Sequence, residues 1–372
     1  QWTISLSASP RDATVEDGRL LSTHPSGLHQ TETAISRKHN LREDIVLLSW
    51  RRTGGTRWDY GTVMAHDRWT AQGSSLENRP PKTYGSIFGG LDLNDLKLFG
   101  ELATSTGVGP SMLGGFVLVK DRLRWISSLR RYPAGFQGPR SQPFREWSSD
   151  RLNEMGLYQG LSLRTGKHHL LTYGDIYRQM SGDGESGRPV HGFEVAGTWS
   201  YRWRGGQGFF RWKRERKTVE NSIVFPGEAT PQETWRESWR VRMATAPRRP
   251  LTLQIQGDRT TASPGDTRHR GHGLSLRVRY SRHPWRTSFN WTAFSVNDYS
   301  SRIYVWDINL PGELRSKTFS STGHSAAFLV GTSTTTGATM SIRARSTWRF
   351  SRQAEKWLRP TLEGGFQMDI AF

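Results

Sequence analysis

Ten arginines recur at alternate positions of several amphipathic segments, and they are the residues of this sequence best suited to chemistry. They are Arg202, Arg204, Arg236, Arg240, Arg242, Arg277, Arg279, Arg343, Arg345 and Arg349. Because successive side chains of a strand point to opposite faces, alternating arginines share one face. Rings of arginine in a pore favour anions. The sequence therefore predicts a lumen, lined by these ten residues, that attracts anions.

Two alternatives stay open for the same arginines. They could pair with acidic side chains on the same faces, such as Glu194, Glu363 and Asp369, and simply fill the interior of the fold. A strand register displaced by one residue would instead turn every arginine to the opposite face. All three interpretations remain open at this point.

Other candidate chemistry is weaker. The basic run 211–217 interleaves cations with Trp212, which in a soluble protein would indicate nucleic-acid binding. On a membrane strand we expect it at the outer rim, where cations meet lipid phosphates. His168 and His169 are adjacent and so point to opposite faces of a strand, which disfavours a shared metal ion. No Gly-x-Ser-x-Gly motif or glycine-rich phosphate loop occurs. We therefore predict no enzyme activity, no cofactor and no metal site.

The composition limits the class of protein. The chain has 372 residues, a net charge of +19, 16 Trp, 16 Phe, 10 Tyr and no Cys. So much aromatic area is not typical of a disordered chain, and the absence of cysteine excludes a disulfide scaffold. The best apolar run is Phe116-Val117-Leu118-Val119, far short of the about 18 residues that a membrane helix needs.

Period-2 alternation recurs along most of the chain and predicts long amphipathic strands. The final segment is the clearest case, with Leu362, Phe366, Met368 and Ile370 on one face. A soluble sandwich also alternates, but its strands average about 5 to 6 residues, whereas a strand crossing a bilayer needs about 9 to 11. Several apolar faces carry Trp or Tyr near an end, as an interfacial aromatic girdle does.

Connection lengths give an independent indication, because outer-membrane barrels have short turns on one side and longer loops on the other. Tight turns are predicted near 53–56, 93–95, 120–122, 165–168, 204–207, 246–249, 282–285, 310–313 and 334–337. Between them we predict mostly longer connections near 15–42, 70–82, 106–109, 133–155, 181–190, 221–233, 257–271, 298–300 and 351–358. Residues 301–310 and 314–320 are counted as sheet strands in this scheme.

The predicted fold is all-β, a closed antiparallel transmembrane β-barrel of about 20 strands (range about 18 to 22), with short periplasmic turns and longer extracellular loops. It is expected to form one domain over 1–372, with 15–42 and 133–155 as its longest loops. A short helix begun by Thr31 is expected within 31–38. Because the chain starts at Gln1 without an initiator Met, we expect a mature chain whose signal peptide has been removed, in the outer membrane of a Gram-negative bacterium.

Two groups of residues resemble known families. The C-terminal residues Gly365, Phe366, Met368, Ile370 and Phe372 resemble the closing strand of bacterial outer-membrane β-barrels, which implies recognition by the barrel assembly machinery. Within 1–180, four segments are similar to poorly characterised Bacteroidota-type barrels that often carry helix-hairpin-helix repeats. These segments are Gly27–Thr31, Leu98–Ala103, Arg131–Pro133 and Asn153–Gly160. This chain has no such repeats, and the resemblance implies neither a DNA-related role nor a known activity.

Three functions follow from the sequence. The first is a channel or transporter for small solutes with an anion-favouring lumen. The second is a structural barrel with a plugged lumen, held in a larger complex with other outer-membrane or surface proteins. The third, a soluble basic β protein that binds nucleic acid, is the most distant. The expected partners are the lipid bilayer, lipid phosphates at the rim and the barrel assembly machinery.

Overall fold

The computed structural model describes most of the chain, and every structural statement below concerns those residues. They are 1–23, 32–71, 74–136, 153–180, 191–220, 231–245, 250–265, 267–313, 316–333, 338–351 and 354–370. Twenty strands belong to one antiparallel sheet, and four more form two separate hairpins. No helix in these residues is long and apolar enough to cross a membrane.

Chain contacts group the residues into two compact units. The first comprises 1–159 with 177–189, and the second comprises 160–176 with 190–372. The elements of the first unit are β1 (Trp2–Arg11), β2 (Ala13–Glu16), β3 (Arg19–Thr23), α1 (Glu32–Ser36), β4 (Leu41–Gly54), β5 (Trp58–Ala71), β6 (Ser74–Ser75), β7 (Lys82–Leu93), β8 (Leu96–Ser105), β9 (Val108–Lys120) and β10 (Leu123–Tyr132). Residues of β11 (Glu154–Thr165) and β12 (His168–Gln179) are divided between the two units.

The second unit contains the remaining elements. They are β13 (His191–Trp203), β14 (Gly206–Glu220), β15 (Pro231–Thr245), β16 (Leu251–Pro264), β17 (His269–Arg282), β18 (Trp285–Val296), a 3-10 helix (Tyr299–Ser301), β19 (Ile303–Trp306), β20 (Ser316–Phe319), β21 (Thr322–Ser333), β22 (Ala338–Ser351), β23 (Lys356–Trp357) and β24 (Thr361–Ile370).

Each unit is an antiparallel meander. In the first unit β1 pairs with β4, and pairing continues in chain order through β5, β7, β8, β9 and β10. In the second unit pairing runs in order from β13 through β18, then through β21 and β22 to β24. Tight connections contain residues that tolerate positive φ, among them Asn94 at 63° and Gly166 at 57°. The predicted turns at these two positions are confirmed.

The predicted alternation of faces is confirmed in both units. On β24 the side chain of Phe366 is 64% exposed and lies opposite Ile342 of β22, which is 61% exposed. On β1 the same outward series is formed by Trp2, Ile4 and Leu6, which are 65 to 75% exposed. The opposite face is polar and largely buried, as at Ser325 and Thr347. Each long strand therefore has an exposed apolar face, called the outer face, and a largely buried polar face, called the inner face.

The prediction of about 20 sheet strands agrees in number, but not in every member. Two of the twenty, β6 and β23, have only two residues, and the other eighteen run 10 to 15 residues. The strands predicted at 301–310 and 314–320 were wrong as sheet members, because β19 and β20 pair only with each other. The expected loop at 298–300 thus becomes a long insertion over 297–321 that contains this hairpin.

Other boundaries also need correction. Strand β16 continues to Pro264 and β17 begins at His269, so the connection predicted over 257–271 spans only 265–268. The predicted loop 15–42 holds part of the hairpin of β2 and β3 and the helix α1. The short helix predicted within 31–38 is confirmed over Glu32–Ser36. Most of the predicted loop 133–155, together with Phe372, lies outside the described residues.

Candidate functional site: an arginine face covered by an internal hairpin

The insertion over 297–321, called the insert from here on, packs its apolar side against the inner face of the second unit. Ile303 and Val305 of β19 and Phe319 of β20 are at most 4% exposed and cluster with Phe294 and Val296 of β18. The rings of Phe294 and Phe319 stack with centroids 4.1 Å apart. A second apolar cluster joins the insert to β21 and consists of Ile308, Leu310, Ala327 and Leu329. The insert is therefore docked by hydrophobic burial.

Two glycines of β17 allow this close approach. A Cβ added at Gly271 would overlap the carbonyl oxygen of Ser301, and one added at Gly273 would overlap the terminal carbon of Ile303. At Ser301 the obstructing atom belongs to the backbone, which cannot move away by changing a rotamer. The β17 backbone and the insert are thus in contact where the strand carries no side chain.

A row of arginines binds main-chain carbonyl oxygens of the insert. Arg236 donates to the oxygen of residue 302 at 2.6 Å, and Arg240 donates to that of residue 304 at 2.5 Å. Arg277 donates to the oxygen of residue 306, and Arg345 to that of residue 308 at 3.3 Å. These carbonyls recur at every second residue, as on one edge of an extended strand. Since the β19 pairing with β20 occupies the other edge, the guanidinium groups take the place of a neighbouring strand.

Acidic residues complete the attachment of the insert. The Nε atom of Arg345 lies 2.8 Å from an Asp307 oxygen, and its Nη1 atom donates to Glu363 at 2.6 Å. Arg343 pairs with Glu313. Lys317 of β20 donates to Thr347 at 2.8 Å, and burial, together with Arg345, lowers its pKa below the ordinary value. The interpretation that inward arginines pair with acids therefore holds for Arg343 and Arg345, and also for Arg240, which pairs with Asp258.

The remaining predicted arginines lie apart from the insert. Arg242 stacks over the ring of Phe209 at 4.6 Å. Arg202, Arg279 and Arg349 are exposed side chains on β13, β17 and β22. Arg204 lies one residue beyond the end of β13, in the turn that leads to β14. Five of the ten residues predicted as one lining set thus hold the insert, four are exposed, and Arg242 is half-buried against Phe209.

A cavity of about 320 Å³ lies between the inner face of β14 to β16 and the insert. Its basic lining residues outnumber the acidic ones by four to two: Arg211, Lys213, Arg236 and Arg240 against Glu215 and Asp258. Asp258 accepts from Arg240 at 2.6 Å, and Lys213 pairs with Glu194 at 2.6 Å. The insert contributes Tyr304 and Trp306, which point away from the buried Ile303 and Val305. The cavity combines positive charge, hydroxyl groups and aromatic rings.

Arg211 and Lys213 were missing from the predicted lining set because the whole run 211–217 was assigned to the outer rim. The structure makes this run the middle of β14, with Arg211, Lys213 and Glu215 facing the cavity. Trp212 is on the other face and donates to Glu237 at 3.0 Å. The sequence does contain a signal for their position. A strand begins after the turn at 204–205, and alternation counted from Phe209 puts Arg211 and Lys213 on one face of that strand.

His168 and His169 are adjacent residues of β12 and contact different neighbours. The His168 ring packs against Tyr201, 4.7 Å away, whereas His169 Nε2 lies 3.0 Å from the Ser162 hydroxyl oxygen. The two rings thus have separate surroundings. In the part of the chain that the structure describes, no cluster of three or more His, Asp or Glu side chains could hold a metal ion.

Comparisons with known proteins bear on the fold. No protein-family model matches the sequence, and no curated protein matches it either. Among solved structures the chain is similar to a protein titled Copper transporter OprC, with a TM-score of 0.50 and 11% identity. The match covers 100% of this chain and 60% of that one. At this identity the likeness concerns the fold, and the large antiparallel β-sheet agrees with it.

Proposed function

We propose that the chain is an outer-membrane β-barrel that admits small anionic solutes through a lumen narrowed by the insert. The observation that carries the proposal is the cavity on the inner face, where four basic side chains meet two acidic ones. Excess positive charge in a recessed, low-dielectric site concentrates anions. The fold likeness to a protein titled as a copper transporter supports transport as the class of function.

The outer faces support the membrane location. Leu6 and Leu362 are each 75% exposed, and Ile4 is 71% exposed, on strands long enough to cross a bilayer. Apolar surface of this kind on each unit would be unfavourable in water, and lipid would cover it. The proposal includes closure of the sheet into a barrel, contact of rim cations with lipid phosphates, and insertion by the barrel assembly machinery through the segment from Gly365 to Phe372.

Conductance in planar bilayers tests the proposal. We expect small single-channel currents for the full chain, with a reversal potential in a KCl gradient that indicates chloride preference. Replacing 298–321 by a short glycine-serine linker should raise the conductance, because it removes the hairpin from the inner face. A matched control is Trp285→Ala, which lies on β18 outside the residues that line the cavity and should leave the conductance unchanged. Cation preference, or no current with and without the insert, would refute transport of anions.

A second function, a plugged structural barrel, is favoured by one observation. The insert is attached by two apolar clusters and by a row of arginine hydrogen bonds to its backbone. Such an attachment suits a permanent plug in a larger complex with other outer-membrane or surface proteins. Absence of current in the full chain, together with copurification of a defined surface protein, would favour this function.

A further inference from the structure

We propose that the cavity between β14 to β16 and the insert binds one anionic sugar unit, either a sugar acid or a sugar phosphate. The inference rests on the proposed function for the preference for anions, and it names the class of solute. Three features of the lining lead to it: cationic groups, a flat aromatic wall, and hydroxyl and carboxylate groups between them.

The cationic groups suit a carboxylate or a phosphate. Arg211 and Lys213 alternate on β14, and Arg236 lies on the adjacent β15, where its register partner is Glu215. Each guanidinium has five N–H donors in a planar fork, and Arg236 gives one of them to the insert at residue 302. Planar forks recognise the oxygens of carboxylates and phosphates in bidentate geometry.

The aromatic wall comes from the insert. Ile303 and Val305 pack against Phe294 and Val296 of β18, and Tyr304 and Trp306 alternate with them on the opposite face of β19. Tyr304 and Trp306 line the cavity, together with Ile303. Trp306 remains 53% exposed and Tyr304 38% exposed, although the same hairpin buries its other face almost completely. An indole face beside polar groups offers apolar contact to the flat side of a ring, in a site where a few polar groups fix the orientation.

The polar groups between these two features match ring hydroxyls. Ser238 and Thr260 line the cavity, and Asp258 accepts hydrogen bonds from Arg240 at 2.6 Å and Gln256 at 2.8 Å. A carboxylate has about four lone-pair sites, so Asp258 can also accept from a sugar hydroxyl. The cavity volume of about 320 Å³ is at the small end of ligand sites and suits one ring rather than a chain of them.

Calorimetric titration of the full chain folded in detergent tests the proposal. The ligands are glucose 6-phosphate, glucuronate, glucose, inorganic phosphate and phenyl phosphate. We expect the two sugar anions to bind at least about tenfold more tightly than glucose, inorganic phosphate or phenyl phosphate, a difference of about 1.4 kcal/mol. Trp306→Ala and Arg211→Gln should each weaken binding of both sugar anions about tenfold.

Trp285→Ala is the matched control, because Trp285 is also 53% exposed but lies on β18 outside the cavity lining. It should leave binding unchanged. Equal affinity for inorganic phosphate, equal affinity for phenyl phosphate, or an equal loss in the Trp285 and Trp306 variants would each overturn the proposal. Sugar-anion binding in a protein that carries no current would support this site and refute transport, so the two proposals fail separately.

Discussion

Gly271 should be the most sensitive position for docking of the insert. In Gly271→Ala the new methyl group overlaps the Ser301 carbonyl oxygen, a backbone atom, whereas in Gly273→Ala it meets the flexible end of Ile303. Gly257→Ala, on the neighbouring strand β16, is the control, because an added Cβ there meets nothing within 4 Å. The three substitutions add the same methyl group to the same sheet and differ only in what it meets.

The magnitude follows from comparing strain with burial. Undocking would expose Ile303, Val305 and Phe319, each worth about 1.5–3 kcal/mol when buried, or roughly 5–9 kcal/mol together. Overpacking in a filled interior costs about 1–3 kcal/mol. The smaller strain leaves the insert docked most of the time in Gly271→Ala, but it raises the undocked fraction about 5- to 150-fold.

Limited trypsin digestion measures that fraction, because cleavage after Arg302 or Lys317 requires local opening of the insert. We expect the initial cleavage rate at these two sites to rise about 5- to 150-fold in Gly271→Ala and only a few-fold in Gly273→Ala. Gly257→Ala should cleave at the rate of the unmodified chain. If Gly271→Ala cleaves no faster than Gly257→Ala, the insert is not seated on β17, and the docking described above is refuted.

Three further outcomes are expected. Arg345→Met should lower the free energy of unfolding by about 1.5–3 kcal/mol in denaturant titration, because it removes the ion pair with the 4% exposed Asp307 side chain, whose charge Arg277 and Lys317 still partly balance. Arg349→Met, at an exposed position, should change it little. Deletion of Phe372 should reduce the amount of folded, heat-modifiable protein in membranes. Unchanged assembly would show that this terminal residue has no role in insertion. Chloride preference should fade between about 0.1 M and 1 M salt, as the Debye length falls from about 10 Å to about 3 Å. Arg211→Glu with Lys213→Glu, at two basic residues of the cavity lining, should reduce or invert the preference, and preference that persists at 1 M would contradict an electrostatic origin.

Faces and turns could be predicted from the sequence because they depend on local rules. The period of a strand puts Phe366 with the other apolar residues of β24 on one face, and Ile342 with those of β22, independently of the rest of the fold. Tight turns need residues such as Gly166 that accept positive φ. The same logic placed the terminal segment as a strand, and β24 pairs with β22 over ten residues.

The insert could not be predicted because the alternation does not say what covers an apolar face. Ile303 and Val305 alternate with Tyr304 and Trp306 as residues of a membrane strand do, but protein rather than lipid covers the apolar pair. In the structure β19 and β20 are distinguished by their length of four residues each, but the sequence predicted longer strands over 301–310 and 314–320. Arg236 and Arg277 donate to main-chain oxygens of the insert, which is distant from them in the sequence. Their spacing therefore predicted the face of the strand on which they lie, but not the atoms to which they donate.

The row of arginines binds the main chain of the insert, so the side chains of the insert can change without loss of these hydrogen bonds. Every residue type has a main-chain carbonyl oxygen. Residues 304 and 306 can therefore be substituted without losing the hydrogen bonds from Arg240 and Arg277. The lining of the cavity can then diverge between related proteins while the scaffold that presents it stays constant. A library of hairpins grafted onto the same arginines would inherit their attachment and differ in what they recognise.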